Sequence, residues 1–317
     1  MSQDVTSPAG ARAVRMGIRE WSSATEGPLS GAYSGMPEYL YHRHPALSSS
    51  GAKKLTPPST PAHFREAVDN GQEVKREFEL GTAAHTVVLG TGPTLHVVEA
   101  SSWVTKAAKE ERQLARDLGR VPVLEHEYES ILAMAEAIRS HPVASFLFQR
   151  QRYEEGRLIE ATGAPEVSLF WRDDMAGVDK RCRLDWMPFS LTSSGVLLVP
   201  DYKTCQSASD DAIDRQVRDY GYHQQAQWNT EGIETLGLSA GAPVLFVFVF
   251  QEKKAPYLIN VRAVEPQTLK VAERKNYDAA RLFARCSESG EWPGYDNRIG
   301  FASLPYWDLK RELEAMQ

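Results

Sequence analysis

The spacing of apolar positions changes about halfway along the chain. Up to residue 140 it is mostly helical, and after residue 152 it falls into short apolar runs broken by turn residues. Serines before Gly51 predict a capped short helix ending near Leu55, and Pro57, Pro58 and Pro61 break the chain before another begins. Residues 78–90 read as a small-residue helix and residues 94–99 as a strand. Residues 103–140 are charged and amphipathic, which predicts two helices broken near Val121 and Pro122.

Beyond that point, residues 152–160, 166–172 and 177–186 read as a strand meander. Thr162-Gly-Ala-Pro165 and Asp173-Asp-Met-Ala176 are the turn signals between them. A further apolar strand begins at Val196, and a long helix is predicted over 210–236. Strands at 243–251 and 256–264, a helix at 266–288 and a closing helix from Pro305 complete the order. The pattern predicts an α/β (α+β) domain: a mixed central sheet flanked by helices, with a helical N-terminal part. Residues 1–35, rich in Ser, Gly, Ala and Pro, are expected to be a disordered or loosely attached arm, and residues 36–317 one domain.

Composition narrows the classes. The 317 residues are 42% hydrophobic and 25% charged, as in soluble globular proteins. No apolar run approaches the ~20 residues that span a bilayer, and no basic-then-apolar leader is present, so cytoplasmic residence and no membrane partner are expected. The three cysteines are too few and too scattered for a disulfide framework. A net charge of −6 argues against non-specific coating of nucleic acid but leaves room for a locally basic site.

The candidate chemistry centres on Val196-Leu-Leu-Val-Pro-Asp-Tyr-Lys-Thr204. Side chains alternate across a strand, so Asp201 and Lys203 share one face and Tyr202 takes the other. Asp185 lies sixteen residues upstream of Asp201, at the expected end of the preceding strand. If the two strands pair, both carboxylates emerge at one end of the sheet, within reach of one Mg²⁺. Lys203 then supplies a fixed positive charge and the Tyr202 carbonyl a further hard oxygen. The bland reading is a surface salt bridge between Asp201 and Lys203, against which the buried strand weighs. On the expected long helix, Arg218, Tyr222, Gln225 and Asn229 fall on one polar face suited to phosphates or a DNA strand, or to solvent. Taken on spacing alone, His85 reads as a core histidine.

Several segments together resemble the PD-(D/E)XK nuclease superfamily, and within it the RecE (exonuclease VIII)-like branch of phages and prophages. They are Tyr41-His42, Leu47-Ser-Ser-Ser-Gly51, Pro61-Ala-His-Phe64, Gly81-Thr-Ala-Ala-His85, Arg181-Cys-Arg-Leu-Asp185, Asp201-Tyr-Lys-Thr204 and Tyr220-Gly-Tyr-His-Gln-Gln225, in family order, with Leu304-Pro-Tyr-Trp307 at the end. The resemblance implies a nuclease acting on ends of linear double-stranded DNA, 5′ to 3′, for recombination. It implies Mg²⁺, with Mn²⁺ able to substitute, held by His85, Asp185, Asp201 and the Tyr202 carbonyl, with Lys203 as the catalytic lysine. Gln225 matches the glutamine of the following helix, and Glu166 is an outer acidic candidate. A single-strand annealing protein and a homo-oligomer are the partners it suggests. The chain departs from the pattern at Leu184, where a proline is usual, and at Asn229, where a tyrosine is usual. An endonuclease on the same fold and a catalytically silent DNA-binding relative are the alternatives.

Overall fold

The computed structural model describes residues 17–22, 29–71, 76–148, 151–154 and 157–316. Its N-terminal part holds β1 (Ile18–Glu20), β2 (Gly31–Ser34), α1 (Glu38–Arg43) and β3 (Leu47–Ser48), then α2 (Ser49–Leu55), α3 (Pro61–Asn70) and α4 (Arg76–Leu89). Next come β4 (Leu95–Val98), α5 (Lys106–Asp117), β5 (Val121–Leu124), α6 (Glu125–Ser140) and α7 (Ala144–Leu147). The strands β6 (Gln151–Glu154), β7 (Arg157–Ala161), β8 (Gly163–Asp173), β9 (Val178–Pro188) and β10 (Leu197–Cys205) follow. The chain closes with α8 (Asp210–Asp219), α9 (Tyr222–Thr235), β11 (Val244–Glu252), β12 (Ile259–Ala263), α10 (Pro266–Ser289) and α11 (Tyr306–Ala315).

Strands β10 and β11 run parallel, with β12 antiparallel beside β11. Both are buried on both faces, which is why they read as near-continuous apolar runs. Leu197, Val199, Phe246, Phe248 and Phe250 face one way, onto a core shared with α2, α9 and α10. Tyr202, Val247 and Val249 face the other, onto α4 and α6. A second sheet, in the order β1-β2-β8-β9-β3, carries both parallel and antiparallel pairs. The expected mixed sheet flanked by helices is therefore present, as two ladders that meet where β9 packs against β10. No helix among the described residues is long and apolar enough to cross a membrane.

Three expectations need correction. Residues 31–34, assigned to the arm, form β2, which is hydrogen-bonded to β8 and buries Ala32 and Tyr33; residues 1–16 and 23–28 lie outside the described residues. The Val121 break is a strand, β5, paired parallel with β4. The helix expected over 210–236 is two helices: Gly221 turns left-handed at φ +62, where Lys53 packs so close that a Cβ would meet its Cδ at 2.6 Å.

Candidate active site

Asp185 and Asp201 sit inside their strands, not at the ends, and the join between the two ladders brings them together. No ladder pairs β9 with β10 among the described residues; instead the Tyr202 amide donates to Asp185 Oδ2 at 2.7 Å. A strand residue turns its N–H and C=O to the same edge, so the Tyr202 carbonyl faces that joint too.

Asp201 is held on the face of β10 that it shares with Lys203 and turns toward α9. Gln225 Nε2 donates to Asp201 Oδ1 at 2.6 Å, and the Lys203 ammonium pairs with Oδ2. That pairing leaves Oδ2 buried without a well-formed hydrogen bond. Lys203 in turn lies over the rings of Tyr222 (5.4 Å) and Phe248 (5.8 Å).

Opposite lies α4. His85 Nε2 is 2.9 Å from Asp185 Oδ2, and its Nδ1 is 3.4 Å from Glu166 Oε1. This helix packs against β10 at Gly81, where a Cβ would sit in ordinary contact with Thr204 Oγ1 at 3.7 Å. The β8–β9 register runs unbroken from Pro165–Trp186 to Val167–Leu184, which puts Glu166 and Asp185 at opposing positions between those pairs. Glu166 is held at φ +52, a strained backbone for a non-glycine of the kind that gathers at functional sites. Arg183 lies 3.6 Å from its other oxygen.

The electrostatics follow from crowding. Burial opposes a charge on His85, but Asp185 and then Glu166 outweigh it and raise its pKa to about 9. Burial raises Glu166 to about 7, with Asp185 adding to the effect against His85 and Arg183. Asp201 is pushed up by burial and by Asp185. Asp185, also buried, is pulled down by His85 and Lys203. Burial works against the Lys203 ammonium, yet Asp201 and Asp185 hold its pKa above the ordinary value.

His85, Glu166, Arg183, Asp185, Tyr202, Lys203 and Tyr222 line a cleft of about 1410 Å³, and Asp201 is fully buried behind its wall. Imidazole and carboxylate oxygens, with one carboxylate oxygen lacking a good donor, are a donor set that suits a divalent cation. Among the described residues no three such side chains converge at metal-holding spacing. The cationic His85 and Lys203 lie against the carboxylates instead.

The single polar face expected on the long helix does not form. The turn at Gly221 separates Arg218, exposed and paired with Asp219, from Tyr222 and Gln225, and it buries Asn229. Arg218 does not line the cleft. His85 faces the cleft, not a backbone carbonyl in the core. Glu38, which sequence reasoning passed over, and Arg183, which it counted only toward the local basic charge, line the acidic end. The period-2 spacing of Arg181, Arg183 and Asp185 was the available signal for Arg183.

Residues 48–302 match the model of a family described as a PDDEXK-like domain of unknown function. No curated protein matches the chain significantly. A solved structure described as a "putative exonuclease" from Eubacterium rectale superposes with a TM-score of 0.53 at 14% identity, covering 86% of this chain and 95% of that one. At that identity the likeness speaks for the fold alone.

Proposed function

The chain belongs to the PDDEXK-like domain family, and from that premise we propose that it is a metal-dependent deoxyribonuclease, an exonuclease resecting linear double-stranded DNA. The observation that carries the reading is the convergence of His85, Glu166, Asp185 and Lys203 on one cleft at the β9–β10 joint, with Asp201 buried against the Lys203 ammonium. Polarity from 5′ to 3′ and a role in recombination extend the same reading from the family resemblance.

His85, Asp185, Asp201 and the Tyr202 carbonyl would hold Mg²⁺ or Mn²⁺, which when bound acidifies water and polarises the phosphoryl oxygens. Lys203 sets a fixed positive charge where a phosphorane-like transition state becomes more negative. Asp201 anchors that ammonium, and Gln225 fixes the Asp201 carboxylate from the opposite side. Glu166 orients His85, and Arg183 holds Glu166 in turn.

End-labelled linear duplex and closed circular duplex, incubated with Mg²⁺, test the reading. Wild type degrades the linear DNA only; Lys203→Ala slows this about 100- to 1000-fold and Asp201→Ala abolishes it. Nicking of the circle overturns the exonuclease reading; activity surviving both substitutions overturns the site.

A further inference from the structure

The end of the cleft away from His85 and Glu166 takes no part in that chemistry, yet it is built for a ligand. It is lined by Arg215, Gln216 and Tyr220 from α8 and its cap, and by Lys253 just after β11. The neighbouring cations are occupied: Arg218 by Asp219, Arg262 by Asp210, and Lys53 by the Tyr220 carbonyl at 2.9 Å. Among the described residues the Arg215 and Lys253 side chains enter no ion pair or hydrogen bond.

Tyr220 lines the same cleft and is 60% exposed. Its ring lies against Tyr222 (5.6 Å between centroids, 39° between planes), which lies against Phe248 at 5.3 Å and Phe250 at 5.8 Å. The two phenylalanines are fully buried, so a file of rings runs from the core to the cleft wall and leaves its last member open. Lys53 pins the backbone beneath that last ring from behind. Elsewhere in the cleft, Glu38, Glu166 and Asp185 stand with His85 and Arg183, so the local cations there are already matched by carboxylates.

We propose that Tyr220, Arg215 and Lys253 form a subsite for one strand of DNA, in which an unpaired base stacks on Tyr220 and the flanking phosphates are neutralised by the two cations. The proposal rests on the nuclease reading and adds the path of the strand: phosphates enter past α8, and the terminal nucleotide projects toward the acidic end. A single exposed ring accepts the face of any unpaired base, so binding is independent of sequence, whereas the bases inside a duplex have their faces covered.

Fluorescence anisotropy of a labelled oligothymidylate in EDTA tests the subsite, with duplex hydrolysis in Mg²⁺ measured alongside. Tyr220→Ala weakens binding about fivefold to a hundredfold, while Tyr220→Phe and Tyr220→Trp restore it, and the introduced indole is quenched by the oligonucleotide. Arg215→Ala and Lys253→Ala each weaken binding to all sequences alike and lower the slope of log Kd against log salt by about 0.7. Wild-type affinity in Tyr220→Ala, or an unquenched Tyr220→Trp, overturns the subsite even where wild type degrades duplex. Ring-dependent binding by a protein that hydrolyses no DNA supports the subsite and overturns the nuclease reading.

Discussion

Two lysines inside strands, Lys180 on β9 and Lys203 on β10, sit in nearly the same setting and do opposite things. Each lies over an aromatic face, Lys180 over Trp228 at 4.5 Å and Lys203 over Tyr222, and each is held among carboxylates. Lys180 reaches Asp173 at 2.6 Å and Glu231 at 2.7 Å, and its side chain is 2% exposed. Those carboxylates are satisfied again, Glu231 by the Trp171 indole at 3.0 Å and Asp173 by the Ala176 amide at 2.9 Å. Around Lys203 the account does not close. Asp201 Oδ2 lacks a good donor, Asp185 and Glu166 crowd the same cleft, and the side chain is 19% exposed toward it. A closed charge cluster cross-braces β8, β9 and α9; an open one, with carboxylate in excess and room beside it, is poised for a cation and a phosphate.

The comparison can be broken most forcefully at Lys180. Lys180→Ala leaves the half-buried Asp173 and Glu231 without their cation and costs up to about 3 kcal/mol in urea unfolding, the low end for a broken buried pair because water reaches both carboxylates, with activity per folded molecule retained. Inactivity of a stable Lys180→Ala variant would refute the assignment of this cluster to scaffold. Lys203→Ala is expected to lower kcat about 100- to 1000-fold while circular dichroism stays that of wild type. Its stability loss is smaller than that of Lys180→Ala because Asp201, already pushed toward protonation, takes up a proton.

Gln225→Leu removes the donor on Asp201 Oδ1, and urea unfolding should register about 1.5–3 kcal/mol, the range for a hydrogen bond to a charged group. The smallest effect is in pH. Burial works against the Asp173 charge, but Lys180 and the Ala176 amide hold its pKa below the ordinary value. Its contribution to stability is therefore complete above the unfolded value near ~3.9 and fades as pH falls through the lower folded value. The stability gap between wild type and Lys180→Ala should be flat from neutral pH down to about 5 and narrow below about 4.

Much of this was legible before any coordinates. Apolar runs marked β10 and β11 because strands buried on both faces lose their polar alternation, and Asp173-Asp-Met-Ala176 marked the turn into β9. Asp201 and Lys203 were placed on one face by period alone, and Asp185 by its segment. The arm was misread because composition reports what a segment could bury by itself, and β2 buries Ala32 and Tyr33 against β8. The helix break was missed because one glycine in a helical pattern is ordinarily tolerated; here the packing of Lys53 against Gly221 decides it.

By itself the sequence determined the repertoire: which strands are buried, which face of β10 carries an acid and a lysine, and which family of motifs the chain follows in order. Only the tertiary structure decided how those groups meet. It set Asp185 on the Tyr202 amide in place of a ladder bond and brought His85 from α4 onto two carboxylates. The turn at Gly221 put Gln225 onto Asp201 and Asn229 into the core. The reason is range. Periodicity is a property of neighbours along the chain, whereas the charge balance of a cleft depends on residues a hundred positions apart, brought within a few ångströms by how the helices pack.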